Sequence, residues 1–177
     1  QYHGPRVAFV NKMDRVGATL ERTVNMLGQR LGAHTMVAQL PIGLEGDFEG
    51  VIDVLTMETI HWQGEKGEEV LRAPLSEDHP QFDDAMLARE ALVEAVGEVD
   101  SEIENLYLEG KEVSTEALRA AMRRATLANK GVVVLCGSSL RNKGVQPVLD
   151  AVIEYLPSPL DLPPVKAQRI KDAKEVE

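Results

Sequence analysis

The sequence predicts an α/β fold in which a parallel sheet carries a smaller α+β insertion. Two apolar runs, Val7-Ala8-Phe9-Val10 and Val132-Val133-Val134-Leu135-Cys136, read as buried strands far apart in the chain. Each runs directly into a short polar motif, Asn11-Lys12-Met13-Asp14 and Gly137-Ser138-Ser139-Leu140. Between them, strand-like stretches punctuated by glycine give way to helical patterns. In doubly wound α/β sheets ligands sit just beyond the carboxyl ends of strands, so two motifs at two such ends can face one ligand.

In chain order, Thr19 is placed to cap a helix running to about Leu31, with Gly32 as its stop. Leu20, Val24, Leu27 and Leu31 recur at helical spacing and would pack on the sheet. Met36 to Ile42 reads as a strand, and Gly43, Gly46 and Gly50 mark a loop. Val51 to Leu55, Glu58 to Trp62 and Glu68 to Arg72 read as further short strands. A helix follows from about Gln81 to Val96. Ser101-x-x-Glu104 reads as a capping box opening a second helix that ends near Gly110. Ser114 would cap a third, with Leu118, Ala121, Met122 and Ala125 on one face. After the strand at Val132, Val145, Val148, Leu149, Val152 and Leu156 outline an amphipathic last helix, closed by Pro157 and Pro159. Residues 1–35 and 130–165 then form the main portion, 36–129 the insertion, and 166–177 a charged tail or linker, frayed if nothing anchors it.

The two polar motifs suggest a guanine site. Guanine presents two adjacent donors, the ring N1–H and the exocyclic amine, and a carboxylate such as Asp14 accepts both in strong charged hydrogen bonds. Adenine lacks the N1 donor, and a site left with an unpaired buried group rejects such an analogue by ~10⁴ or more. The Asn11 amide can bond the base and tie the two loops together. The methylenes of Lys12 can lie over the base while its ammonium stays wet. Gly137, Ser138 and Ser139 are small enough to bring backbone N–H groups close to the guanine O6. Taken alone, Asn-Lys-x-Asp reads equally well as a solvated polar turn; the second loop after a second buried strand favours the ligand.

Composition sets outer limits. The chain has 177 residues, 44% hydrophobic and 27% charged, enough for a real core. A net charge of −10 argues against a broad nucleic-acid surface within this segment. The single cysteine, Cys136, excludes an internal disulfide, and its apolar strand makes it a small buried hydrophobe. No apolar run approaches the about 18 residues of a membrane span, and no signal peptide is evident. His3, His34, His61 and His79 have no metal-ligand spacing. Trp62 in its acidic context reads as core packing rather than a base-stacking platform. Glu68-Glu69 and Asp83-Asp84 would need a cleft to act as an acid/base pair, and nothing signals one.

The stretch Pro5-Arg6-Val7-Ala8-Phe9-Val10-Asn11-Lys12-Met13-Asp14-Arg15 resembles elongation factor G, the translational GTPase that drives ribosomal translocation. So does Cys136-Gly137-Ser138-Ser139-Leu140-Arg141-Asn142-Lys143-Gly144-Val145-Gln146-Pro147, continuing through Leu149-Asp150-Ala151-Val152 to Tyr155-Leu156-Pro157-Ser158-Pro159. The resemblance covers nearly the whole chain. It implies part of a P-loop GTPase-type sheet with an inserted subdomain, binding GTP or GDP through the guanine moiety. Asn11, Lys12 and Asp14 would fall in the base-specificity motif, and Ser138, Ser139 and Leu140 in the second base-contacting loop. The family usually has Ala where this chain has Ser139; the expected contact there is a backbone N–H, which Ser keeps.

The chain contains no Gly-x-x-x-x-Gly-Lys-[Ser/Thr] loop, and neither the Asp-x-x-Gly switch nor the water-positioning His of the family is found. Phosphoryl transfer rests on those parts, so the segment alone is expected to recognise guanine without hydrolysing GTP. The Mg²⁺ of the parent protein would be held by residues other than these. Gln1 in place of Met suggests that the native N-terminus lies elsewhere. The resemblance places the parent in the bacterial cytoplasm or in mitochondria, and leaves ribosome-recycling and ribosome-protection relatives open.

At about 100° per residue, Asp83, Glu90, Glu94 and Glu98 share one stripe of the insertion's first helix, with Leu87 exposed among them. Ala85, Ala88, Leu92, Val96 and Val99 fall on the opposite face. On residues alone the stripe is either a solvated face or a docking surface. The resemblance implies a partner, the basic C-terminal domain of the ribosomal stalk protein. A competing reading is a non-catalytic interaction module whose nucleotide loops are vestigial. A Rossmann-type enzyme is a third, and the chain lacks its Gly-rich fingerprint.

Overall fold

Ala38 joins two sheets: its N–H donates to the Val134 carbonyl, and its own carbonyl accepts from Val54 N–H, both at 2.9 Å. The structure, a computed structural model, describes residues 4–64, 67–161, 167–168 and 175–176. In chain order come β1 (Val7–Val10), α1 (Leu20–Leu31), β2 (Thr35–Val37), β3 (Gln39–Ile42), β4 (Gly50–Asp53), β5 (Glu58–Gln63) and β6 (Glu69–Pro74). Then follow α2 (Phe82–Gly97), α3 (Ser101–Leu108), α4 (Thr115–Leu127), β7 (Val132–Cys136), α5 (Val145–Tyr155), and the two-residue strands β8 (Ala167–Gln168) and β9 (Glu175–Val176). Apart from β8 and β9, the charged tail expected over 166–177 lies outside the described residues.

The fold is α/β, as the sequence predicts. A parallel sheet has the order β1-β7-β2, an antiparallel sheet has the order β3-β4-β5-β6, and β8 pairs with β9. Central β7 is buried at every residue, which is why it reads as an unbroken apolar run rather than an alternation. Its two faces serve two cores, because successive side chains point to opposite sides of a strand. Val133 and Leu135 pack with Met36, Leu92, Val96, Ile103, Leu118, Met122 and Tyr155. Val134 and Cys136 pack with Val10, Met13, Leu20, Phe48, Val51, Ile60 and Trp62. The parallel sheet is thus covered on one side by α2, α3, α4 and α5, and on the other by α1 and the antiparallel sheet.

Gly32 ends α1 in the left-handed conformation, φ +60°, with its N–H on Gly28 O and Ala33 N–H on Leu27 O. Ser114 caps α4 by accepting from Ala117 N–H at 3.2 Å.

Several expectations need correction. The strand read over Met36 to Ile42 is two strands, β2 and β3, because the chain changes partner sheets at Ala38; just past the change, buried Gln39 accepts from Cys136 N–H through Oε1. Ser101 is the first residue of α3, not its cap; Asp100 caps it, its side chain accepting from Glu102 and Ile103 N–H. Thr19 occupies the cap position of α1 without a side-chain cap bond. Leu31 is 66% exposed, so the packed stripe of α1 ends earlier. On α5 the buried residues are Pro147, Ala151 and Tyr155, while Leu149 and Val152 face outward. Among the described residues no helix is long and apolar enough to cross a membrane.

Candidate base-recognition site

The two motif loops leave β1 and β7 side by side. These strands are parallel neighbours with Val10 opposite Cys136, so both loops begin at the same edge of the sheet. Backbone bonds continue past the strand ends: Gly137 N–H donates to Val10 O, and Met13 N–H to Gly137 O, each at 3.0 Å. Met13 itself is 1% exposed and anchors the first loop in the core. Gly137 is required by close packing, since a Cβ there would lie 2.4 Å from the Lys143 carbonyl and 2.9 Å from the Phe9 ring.

Asn11 joins the loops. Its Oδ1 accepts from Ser139 N–H at 3.0 Å, from Ser139 Oγ at 3.1 Å and from Lys12 N–H at 2.8 Å. The Ser139 N–H that the sequence reading offers to a base is therefore directed at Asn11 here. The Ser139 hydroxyl adds a tie that Ala could not make. Lys12 is exposed and holds a left-handed backbone, φ +66°, and Leu140, on the second loop, is 82% exposed. Strain of this kind persists only where surroundings enforce it, here the Asn11 and Met13 bonds.

Asp14 carries the charge of the site. Its side chain is 7% exposed. Buried Ser138 donates through Oγ to Asp14 Oδ1 at 2.7 Å, and Arg141 Nε donates to Oδ2 at 3.2 Å. The Ser138 hydrogen bond, outweighing burial and helped by Arg141, holds the Asp14 carboxyl below its usual range. It is an ionised acceptor with two oxygens, suited to paired donors on one edge of a planar ligand. The second loop keeps its shape through a tight turn. Ser138 N–H donates to Lys143 O at 2.8 Å, Lys143 N–H returns to Ser138 O at 3.0 Å, and Asn142 takes a left-handed φ of +54°.

Residues between the two motifs hold this site from outside, which the sequence did not reveal. Lys143 Nζ donates to Phe48 O at 3.0 Å and stands 5.9 Å from the Phe48 ring centre. Asn142 Nδ2 donates to Gly67 O at 3.2 Å, and Trp62 Nε1 to Gln146 Oε1 at 2.9 Å. On the other loop, Gly17 N–H donates to Glu45 Oε1 at 2.7 Å. Arg141 and Lys143 lie in the stretch that carries the resemblance without a role assigned to them, and Glu45 carries no motif signature. The one sequence signal for Trp62 was apolar packing, and it is indeed buried at 7% exposure.

The residues of the acidic stripe are all exposed on α2 or just past it: Asp83, Leu87, Glu90 and Glu94 on the helix, Glu98 at its C-terminal cap. Glu98 pairs with His34 Nδ1 at 3.6 Å. Arg89, the helix's basic residue, turns inward, donating to the carbonyls of Val54, Leu55 and Val113. Alongside α2, Leu20, Val24, Val37, Leu40, Ala88 and Leu92 line an apolar groove of about 550 Å³. Cys136 is fully buried and its thiol pKa is pushed up to about 12, so it is not a nucleophile. Among the described residues no three His, Cys, Asp or Glu side chains gather in a metal-holding group.

Residues 1–158 match the family model described as the elongation factor Tu GTP binding domain. Elongation factor G of Thermotoga maritima is 47% identical over 176 residues, which is 99% of this chain and 25% of that protein. Elongation factor G of Fervidobacterium nodosum is 50% identical over 167 residues, 94% of this chain and 24% of that protein. A crystal structure of a Thermus thermophilus protein superposes with a TM-score of 0.73 at 29% identity, covering 89% of this chain and 23% of that one. The chain spans about a quarter of the length of the curated relatives it matches.

Proposed function

The chain belongs to the elongation factor Tu GTP-binding domain family, and from that premise we propose that it is the base-recognition portion of a translational GTPase of the elongation factor G type. The parent would hydrolyse GTP and promote ribosomal translocation in a bacterial cytoplasm. The observation that carries the reading is Asp14: an ionised, nearly buried carboxylate between two loops joined through Asn11. In this reading the two Asp14 oxygens accept the guanine N1–H and amine, while Lys12 and Leu140 flank the base. Hydrogen-bond readout by a buried carboxylate selects guanine over adenine because adenine leaves it unpaired. GTP and GDP are the ligands, and Mg²⁺ is assigned no residue of this chain.

With no phosphate-cradling motif in its sequence, the segment by itself is not expected to turn over GTP. The test is competition between GDP and ADP for the intact parent protein. Equal competition by the two nucleotides would defeat the base-site reading.

The partner reading concerns α2. An outward face of uniformly acidic charge, with exposed Leu87 and an apolar groove beside it, fits a basic protein surface carrying an apolar contact. The ribosomal stalk protein's C-terminal domain is the partner proposed. The interaction-module alternative predicts the same surface but no nucleotide selectivity, so the GDP and ADP competition separates the two.

A further inference from the structure

We propose that the turn from Leu44 to Phe48 is a clamp that sets the separation of the two base loops, with Glu45 and Lys143 as its positioning residues. This rests on the reading of those loops as a guanine site. The turn reaches both of them. Glu45 Oε1 accepts from Gly17 N–H at 2.7 Å, at the far end of the first loop. Phe48 O accepts from Lys143 Nζ at 3.0 Å, and Lys143 is the residue whose backbone pairs with Ser138. Ser138 in turn holds Asp14.

The turn is built to keep its shape. Asp47 N–H donates to Leu44 O at 2.9 Å, Phe48 N–H to Glu45 O at 3.1 Å, and Glu49 N–H to Ile42 O at 3.0 Å. Glu45 adopts a left-handed φ of +51°, which a non-glycine residue keeps only where its surroundings over-determine it. Gly43, at φ +75°, leaves no room for a side chain, since a Cβ would fall on the Asp47 carbonyl. Phe48 is buried at 3% exposure in the core that also holds Val10, Met13 and Cys136, next to the two motifs. A rigid turn bonded to two loops fixes the gap between them. Opening that gap to release a base would require breaking one of its two bonds.

The first loop is itself a connected turn from Lys12 to Ala18: Arg15 N–H donates to Lys12 O and Ala18 N–H to Arg15 O, each at 3.0 Å. Displacement at Gly17 therefore reaches Lys12 and Asp14. On the second side, Lys143 transmits directly through its backbone pair with Ser138.

The experiment uses the intact parent protein and a fluorescent GDP analogue. Glu45→Ala and Lys143→Met are each expected to raise its dissociation rate by about two- to tenfold, the worth of one hydrogen bond. Glu45→Gln should restore the wild-type rate, because the amide oxygen can accept the same N–H. GDP should still be preferred over ADP in all three, since the Asp14 carboxylate itself is retained, with a smaller loss of preference than in Asp14→Asn. A purely structural role would instead lower the melting temperature and leave the dissociation rate unchanged. Unchanged dissociation in folded Glu45→Ala and Lys143→Met, or Glu45→Gln behaving like Glu45→Ala, overturns the clamp. Asp14→Asn is measured in parallel. If it shifts base preference while the clamp variants do nothing, the clamp alone fails; if it shifts nothing, the base site fails and the clamp with it.

Discussion

The Ser138 hydroxyl donates to the Asp14 carboxylate at 2.7 Å, closing a contact between residues 124 positions apart. Neither end of it is anchored alone. Ser138 is placed by β7 and its return turn with Lys143, and Asp14 by the buried Met13 beside it. One oxygen of the carboxylate is thereby oriented by protein, and the other is met only by Arg141, which is 60% exposed at its side chain. In the proposed site, a base approaching from solvent would meet an acceptor already ionised and already aimed.

Asp14→Asn in the intact parent should move preference from guanine toward xanthine. The Asn amide can donate to the xanthine C2 oxygen, which a carboxylate would repel. Loss of charged hydrogen bonds should reduce guanine preference by about tenfold to a hundredfold. Competition between guanosine and xanthosine diphosphates measures it, and an unchanged order of affinity counts against the role given to Asp14.

The Ser138 hydrogen bond also favours the ionised form of Asp14. It is the largest influence holding the Asp14 pKa below the ordinary carboxylate value. A carboxyl whose folded pKa is depressed contributes stability above its unfolded pKa, ~3.9, and that contribution is lost as pH falls through the folded value. Wild-type protein should therefore keep guanine preference down through the usual carboxylate midpoint. Ser138→Ala should begin to lose it at higher pH. Nucleotide binding followed across acid pH in both proteins makes the comparison; coincident curves would show that Ser138 does not govern the titration.

Asp100 offers a stability test remote from the site. It caps α3 through Glu102 and Ile103 N–H and receives Arg124 at 2.8 and 2.9 Å. Arg124 foremost holds its carboxyl below the ordinary range. Asp100→Ala should destabilise by about 1–2 kcal/mol through the lost cap. The exposed guanidinium adds little, because half-exposed pairs are worth at most about 1 kcal/mol. Ser101→Ala, by contrast, should stay within about 0.5 kcal/mol. Denaturant melts of the two variants decide between the caps, and a larger loss in Ser101→Ala would restore the capping-box reading.

That pair shows where the sequence is legible and where it stops. Val7–Val10 and Val132–Cys136 are readable as strands because packing on both faces, complete for the second and partial for the first, leaves no polar alternation to confuse. Both loops are readable as polar turns at strand ends because each directly follows an apolar run; what they bind does not follow from either one alone. The cap slips by one residue because Asp100 and Ser101 are both good caps, and only backbone geometry chooses between them. The strand over Met36 to Ile42 reads as one because every residue in it is compatible with a strand, and polar Gln39, just past the exchange of partner at Ala38, does not mark the break. The α5 face is misread because Leu149 and Val152 have the right chemistry for burial and no signal of what covers them. The roles of Glu45, Lys143 and Arg141 are not legible, although Arg141 and Lys143 lie in the stretch that carries the resemblance, because their partners, Gly17, Phe48 and Asp14, lie far along the chain and the roles follow only from contact.

The acidic stripe yields the last test. Glu90 and Glu94 are exposed on α2, and Leu87 beside them is 64% exposed. Glu98 already pairs with His34 and is left intact. Exposed ion pairs contribute only ~0.2–1 kcal/mol each, so a complex with the stalk C-terminal domain should be weak and transient. Its strength should fall as salt rises through ~0.15 M, where the screening length is about 8 Å. Reversing Glu90 and Glu94 to Lys should slow association more than it speeds dissociation, since charges at a rim mainly steer encounter. The fold should survive, because the buried side chains of α2, Ala85, Leu92 and Val96, lie on its other face. Titration of a labelled stalk domain at two salt concentrations, with wild-type and reversed protein, reads out both effects. Unchanged binding by a folded double variant would leave the stripe a solvated face and nothing more.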